Sequence, residues 1–320
     1  MNTAVLAYDL GGTKVAVGVV DVREGQGRSD GKILAETREP IHVERGRADV
    51  MNHLAELGKK FLREYPKIRA VGIASAGPLD PVKGVLLDPT NLVTEGKSWG
   101  QVPIARELSR RLKRKVWLDN DAAAAMLAEQ RWGAAKKRQN AMILTLGTGL
   151  GTGIICNGKL VRSGRMLHPE GGHVILRADD GDAPCGCGNL GCAEAYLSGR
   201  NFTRRFRRSY GDPSLSGSQI TELARDGNLA ARAAFADYAK TLAIAIHNYV
   251  VLFSPEVVVL TGSFAEAADL FLEPARQQLE GLLARRRVGK DLMPKLLLSR
   301  LNNRAGILGG ALVAHYQGKI

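Results

Sequence analysis

Four side chains, His173, Cys185, Cys187 and Cys192, are of the types that hold a soft divalent metal. The three thiols are interleaved with Gly186, Gly188 and Gly191, which let a chain fold around one ion. The set is Cys3His, and tetrahedral Zn2+ is its natural occupant. Four protein ligands close the coordination sphere, so the expected role is structural. Three free thiols in a loop would leave this crowding beside a histidine without a reason. Cys156 stands apart in an apolar stretch and is expected to be a buried thiol. Glu170 and Glu194 flank the cluster, and an ion that pins both segments would bring these carboxylates together. Carboxylates accept hydrogen bonds from sugar hydroxyls well. Solvated loop acids fit the same spacing, and the spacing does not choose.

Two glycine turns come next. Asp9-Leu10-Gly11-Gly12-Thr13-Lys14 and Gly147-Thr148-Gly149-Leu150-Gly151-Thr152-Gly153 each follow an apolar strand and lead into another. Glycines let backbone N–H groups approach phosphate oxygens with no Cβ in the way. Either turn alone reads as a tight hairpin. Two of them, both carrying Thr and the first led by Asp9, favour phosphate. Asp9 could hold Mg2+ through water, and Thr13 and Thr148 could donate hydroxyl bonds; Lys14 fits equally as a solvated strand residue. Neither common nucleotide fingerprint is present: Gly96-Lys97-Ser98 lacks its leading glycine, with Asn91 in that place, and Gly147-x-Gly149 is followed by Thr152 where a third glycine belongs. Asp119-Asn120-Asp121 ends a short apolar strand and opens an alanine-rich helix. A carboxylate there suits a general base that takes a hydroxyl proton. Plain capping of the helix by Asp121 suits it too, and read without context is the better account.

The elements that must carry these groups alternate between β and α. Strands are expected at Ala4–Tyr8, Val15–Asp21, Ala70–Ala74, Val116–Leu118, Ala141–Leu146, Ile154–Cys156, Val257–Leu260 and Lys295–Leu298. Helices are expected at Asp49–Tyr65, Ile104–Leu112, Ala122–Trp132, Ser218–Arg225, Leu229–Leu252, Ala265–Arg285 and Gly306–Tyr316. Arg23–Lys32, Pro89–Gly100 and Ser163–Asn189 read as loops. A strand–turn–strand unit followed by alternating elements occurs twice, which predicts two similar α/β domains with both glycine turns facing one cleft. The expected division is residues 1–118, completed by a helix from 306–320, and 119–305.

Composition supports a globular chain: 320 residues, 45% hydrophobic and 24% charged. No apolar run nears the ~18 residues of a membrane span, and the N-terminus lacks a basic leader, so a cytoplasmic protein with no membrane partner is expected. The net charge of +13 favours anionic partners. It comes from scattered clusters (Arg110–Lys115, Lys136–Arg138, Arg204–Arg208, Arg285–Arg287) with no interleaved aromatics, which read as solvated helix ends rather than a nucleic-acid surface.

Taken together, Asp9–Lys14, Asn120-Asp121, Leu146–Gly151, Glu170-Gly171-Gly172-His173 and Cys185-x-Cys187-Gly188-x-x-Gly191-Cys192-x-Glu194 resemble the ROK family of bacterial sugar kinases and repressors, in that family's order and over nearly the whole chain. The resemblance implies two actin-like (ribonuclease H-like) ATPase domains with a cleft between them and a zinc-stabilised loop in the second. It implies ATP-dependent phosphorylation of a hexose at its primary hydroxyl, with glucose to glucose 6-phosphate expected and N-acetylglucosamine, N-acetylmannosamine or fructose as alternatives. It implies that Asp9, Gly11, Gly12, Thr13, Lys14, Gly147, Thr148, Gly149 and Gly151 bind ATP and Mg2+, with Gly262 against the adenosine. It assigns Asp121 as the base, and Asn91, Asn120, Asp121, Glu170, His173 and Glu194 to the sugar. It assigns Zn2+ to His173, Cys185, Cys187 and Cys192. Homodimers or homotetramers are implied. The chain departs from the pattern at Ala123, where a second Asn is common, and at Gly262-Ser263, where Gly-Gly is common. His168-Pro169-Glu170 resembles fructokinase-like members, whereas Tyr196-Leu197-Ser198-Gly199-Arg200 resembles N-acetylglucosamine kinase-like ones. The family's sugar-responsive repressors carry a helix-turn-helix domain ahead of the first turn; only eight residues precede Asp9, which disfavours that reading.

Overall fold

The computed structural model describes residues 4–23, 31–89, 92–164, 167–285 and 289–317. They form two compact units. The first comprises Met1–Lys137, Leu160–His168 and Arg300–Ile320, and the second Arg138–Lys159 and Pro169–Ser299.

In the first unit, β1 (Ala4–Leu10), β2 (Lys14–Asp21) and β3 (Lys32–Pro40) form an antiparallel meander. It is followed by α1 (Arg47–Glu64), β4 (Ala70–Ser75), α2 (Ile104–Leu112), β5 (Lys115–Asn120) and α3 (Asp121–Trp132). The sheet order is β5-β4-β1-β2-β3, with β5, β4 and β1 parallel. Its central strands are near-continuous apolar runs because both faces are covered. On one face α1 buries Val50, Leu54, Leu57 and Phe61, the stripe expected from helical spacing, and Tyr8 from β1 donates its hydroxyl to the Leu54 carbonyl at 3.0 Å. The alanines of α3 let the C-terminal helix lie close on the other face. Parallel pairing brings the carboxyl ends of three strands into line: Leu10 pairs with Ser75, and Asn120 pairs with Ser75 from the other side. Asp9 and Asp121 therefore share one edge of this sheet.

The second unit opens with β6 (Ala141–Leu146) and β7 (Leu150–Cys156). It continues through α4 (Ala193–Leu197), α5 (Gly199–Tyr210), α6 (Gly217–Arg225), α7 (Leu229–Phe253), β8 (Val257–Thr261), α8 (Ala268–Ala284) and β9 (Lys295–Leu298). The sheet order is β7-β6-β8-β9, extended past β7 by the short strand Lys159–Leu160. A ring cluster of Phe202, Phe235, Tyr238, Phe264 and Phe271 joins α5, α7, α8 and the segment after β8. The chain then returns to the first unit as α9 (Ala305–Gln317), which packs on β1, β4 and α3.

Each unit thus holds a strand–turn–strand hairpin whose first strand pairs in parallel with a later one. Several expectations need correction. The boundary expected after Leu118 falls inside β5, whereas the end of β5 and α3 lie with α9 in the first unit, as do residues 160–168. Strand β3 is an addition to the expected set; it is half-exposed with alternating sides, the pattern of an edge strand in a polar segment. The stretch 89–100, read as a loop, contains a hairpin of Val93–Thr94 and Lys97–Ser98. Helices α4 and α5 are further additions. The arginines of α5 hide a narrow stripe in which Phe202 and Phe206 are buried. The basic clusters at Arg110-Arg111 and Arg207-Arg208 occupy the last turns of α2 and α5, where cations meet the negative helix end. Arg286 and Arg287 lie outside the described residues. No described helix is long and apolar enough to cross a membrane.

Candidate functional site

The metal cluster lies in the second unit. One ligand atom from each of His173, Cys185, Cys187 and Cys192 lies within 4.8 Å of the others. The Cys187 and Cys192 sulfurs are 3.7 Å apart, and His173 Nδ1 is 3.5 Å from Cys185 Sγ. A tetrahedral zinc with ordinary bond lengths sets sulfur–sulfur edges of about 3.8 Å and nitrogen–sulfur edges of about 3.5 Å. The donor set and its spacing therefore fit Zn2+. Burial pushes the Cys185 thiol up to about 12, a cost that binding a cation to the thiolate offsets. Cys156, expected to be buried, is only half-buried at the end of β7.

The cluster orders two neighbouring segments. His173 uses Nδ1 toward the thiols and turns Nε2 to Glu170, 4.0 Å away. The turn that carries Glu170 and His173 is tied down twice: Thr152 bridges the Pro169 carbonyl and the Gly171 N–H, and Tyr249 donates to the Gly171 carbonyl at 2.7 Å. Glu194 sits on the first turn of α4. Its Oε2 accepts the Leu150 N–H at 2.9 Å, and its Oε1 lies 3.7 Å from Cys185 Sγ. This carboxylate joins the metal cluster to the end of the glycine turn.

That turn is shorter than expected. Only Gly147-Thr148-Gly149 connects β6 to β7; Gly151 is already in the ladder and gives its N–H to Thr145 Oγ1 at 3.0 Å. The turn opens onto a cavity of about 730 Å3, walled by α5, α6 and the segment after β8. Its lining includes Thr148, Arg200, Arg204, Ser218, Arg225 and Phe264. Gly199, at the start of α5, donates to the Gly147 carbonyl at 2.8 Å and fixes the wall to the turn. Gly262 has φ 95°, and a Cβ there would stand 2.4 Å from the Leu146 carbonyl oxygen, so only glycine fits. A cavity of this size with a glycine turn and cationic walls can take a nucleotide. Sequence reading misses α5 and hence the part of this wall that carries Arg200 and Arg204.

In the first unit, Gly11–Lys14 is a tight exposed turn, closed by the Gly11 N–H on the Lys14 carbonyl at 3.0 Å. Asp9 precedes it. Burial raises the Asp9 carboxyl to about 6, with the Asp121 charge adding to the effect and Arg38 opposing it. Its carboxylate lies against Gly306 in the first turn of α9, where a Cβ would come within 2.1 Å of Oδ2. Two carboxylates at one strand edge, with the Asp121 charge adding to the cost of ionising Asp9, fit a hard divalent cation such as Mg2+. Raised from 3.8, Asp9 favours folding when protonated; that contribution is full below pH 3.8 and is lost as pH rises through about 6. An Asp9→Asn variant is therefore expected to melt higher than the wild type at pH 7.5 without metal, by at most about 3 kcal/mol because the α9 terminus favours the anion. The gain should vanish near pH 4, and added Mg2+–nucleotide should stabilise only the wild type. Melting curves across that range check it.

Asn120, not Asp121, caps α3, accepting the N–H groups of Ala122 and Ala123 at 2.9 and 3.1 Å. Asp121 is the first helical residue, and its Oδ1 accepts the Ala122 N–H at 2.8 Å. Capping, the competing reading of Asp121, thus falls to its neighbour. Behind it, Asp119 is buried and held by both guanidinium nitrogens of Arg162. No spacing signal ties Arg162 to this strand. Asn91 lies outside the described residues.

The ROK family profile matches residues 5–317. A glucokinase of Thermotoga maritima is 30% identical, over 96% of each chain, and an N-acetyl-D-glucosamine kinase of Citrobacter koseri is 31% identical, over 96% of this chain and 97% of that one. Among solved structures, a ROK hexokinase from Thermus thermophilus superposes with a TM-score of 0.81 at 32% identity, covering 99% of both chains. A ROK glucokinase from Streptomyces griseus, in complex with glucose and AMPPNP, gives 0.77 at 27% identity, covering 98% of this chain and 99% of that one. With its paired glycine hairpins and Cys3His cluster, the chain belongs to the ROK family.

Proposed function

We propose that the chain is an ATP-dependent sugar kinase that transfers a phosphoryl group to the primary hydroxyl of a hexose, with glucose as acceptor and glucose 6-phosphate as product. The observation that carries the reading is the strand edge where Asn120 supplies the helix cap and Asp121 stands beside Asp9 at the end of three aligned strands. Relatives at similar identity named glucokinase and N-acetylglucosamine kinase support the class, and the second name makes an N-acetylated hexosamine the other acceptor to test.

Phosphoryl transfer needs positioning and charge neutralisation more than covalent chemistry. Asp121 accepts the proton of the attacking hydroxyl as the oxygen turns on phosphorus. Asn120 has spent its carbonyl on the cap, so its amide NH2 is what it offers a sugar oxygen. Glu170 and Glu194 accept from sugar hydroxyls, and His173, committed to the cluster through Nδ1, donates from Nε2. Backbone N–H groups of Gly11–Lys14 and Gly147–Gly149 bind the donor's phosphates, and Gly262 lies against its adenosine. Asp9 would hold Mg2+, which when bound neutralises phosphate charge. His173, Cys185, Cys187 and Cys192 would hold zinc as a fixture for the sugar-binding residues. A panel of glucose, N-acetylglucosamine, N-acetylmannosamine and fructose with ATP and Mg2+, read by ADP formation, tests the reading. Glucose is expected to give the highest kcat/KM; no sugar-dependent ADP from any of them overturns it.

A further inference from the structure

We propose that Arg162 and Asp119 are a positioning pair that aims the Asp121 carboxylate; this rests on the kinase reading above. Asp119 is 1% exposed, yet it is ionisable and receives donors from separate parts of the first unit. Arg162 Nη1 donates to Oδ1 at 2.9 Å and Nη2 to Oδ2, in the two-pronged geometry that fixes a carboxylate's plane. Gln317, the last residue of α9, donates to Oδ2 at 3.3 Å, and the Asn120 N–H donates to Oδ1 at 2.8 Å.

Stability alone does not explain such a pair. Taking two charges out of water costs about as much as their attraction returns, and an apolar pair of similar volume is often as stable or more so. What the fork supplies is orientation. The ladder between β4 and β5 ends at Ser75 and Asn120, so Asp121 lies one residue beyond it. Its position follows from the Asn120 cap and from the Asp119 clamp immediately before that cap. A base displaced by about 1 Å loses on the order of a hundredfold in rate. Arg162 arrives on residues 160–168, the piece of chain that joins the first unit between two stretches of the second and runs on at Pro169 to Glu170. Arg162 acts through Asp119 and is a positioning residue.

The test uses the full chain with the best sugar from the panel, measuring kcat, both KM values and the melting temperature. Arg162→Lys keeps the charge and removes the fork. It is expected to melt within a few degrees of the wild type and to lose about tenfold or more in kcat with each KM within about threefold. The paired Asp119→Leu/Arg162→Met variant replaces the ion pair by apolar groups. It is expected to melt at or above the wild type while kcat stays depressed. A paired variant with wild-type melting and wild-type kcat overturns the proposal, since a merely structural pair would return activity with stability. If the paired variant does not fold, Arg162→Lys decides, and an unchanged kcat there overturns the proposal equally. Absence of turnover by the wild type with every sugar overturns the kinase reading itself and leaves the pair no base to aim.

Discussion

An Asp121→Asn variant is expected to bind ATP and sugar with nearly wild-type affinity and to lose about 10²–10⁴ in kcat, the range that a positioned general base contributes. The amide is isosteric and still accepts through its oxygen, so the Ala122 N–H that now reaches Oδ1 keeps a partner and α3 keeps its first turn. What disappears is the ability to take a proton at neutral pH. Removing only an interaction of the transition state lowers kcat and kcat/KM together and leaves binding alone. Because Asn120 carries the cap, the change should move the melting temperature little, which separates chemistry from folding. Turnover within a few-fold of wild type, measured by ADP formation at saturating substrates, would remove Asp121 from its role.

The second large effect concerns the metal cluster. Purified protein is expected to carry one zinc per chain, and Cys187→Ala or strong chelation should lower stability by about 3 kcal/mol or more, because ligand binding energy in such loops is folding energy. For a chain of 320 residues, with about 2.1 cal/mol/K of unfolding entropy per residue, 3 kcal/mol is roughly 4–5 °C in melting temperature. The loss should reach the sugar before the nucleotide. His173 is both a cluster member and the neighbour of Glu170, and Glu194 lies beside Cys185, whereas the cavity wall hangs on α5, α6 and the Phe264 ring. Sugar KM is therefore expected to rise more than ATP KM. Metal analysis that finds no zinc, together with a Cys187→Ala variant that melts like the wild type, would dismiss the site.

Much of this arrangement is legible in the sequence, for reasons that differ by element. Strands such as Ala141–Leu146 and Lys295–Leu298 stand out because they are apolar runs bounded by turn residues, and α2 because its apolar spacing is regular. The thiols announce themselves by crowding. Strand β3 hides because an edge strand with solvent on one side can be largely charged, and α5 because a two-phenylalanine stripe is drowned by arginines. The identity of the α3 cap is unreadable, since Asn120 and Asp121 are equally good cap residues and only the backbone decides between them. The Arg162–Asp119 pair is unreadable for another reason: it joins residues 43 positions apart through a fold-level return of the chain.

The way the chain threads back and forth between its two bodies sets a limit on engineering. A polypeptide cut after Lys137 would lack both the 160–168 piece and the C-terminal helix, so the Asp119 carboxylate would be left without its guanidinium and its glutamine, inside a half-covered sheet. The first unit, built from three separated pieces, is not a contiguous cassette that can be swapped between relatives. A chimera has to exchange non-adjacent pieces together, and family members are expected to diverge by loop and pocket substitution rather than by shuffling halves.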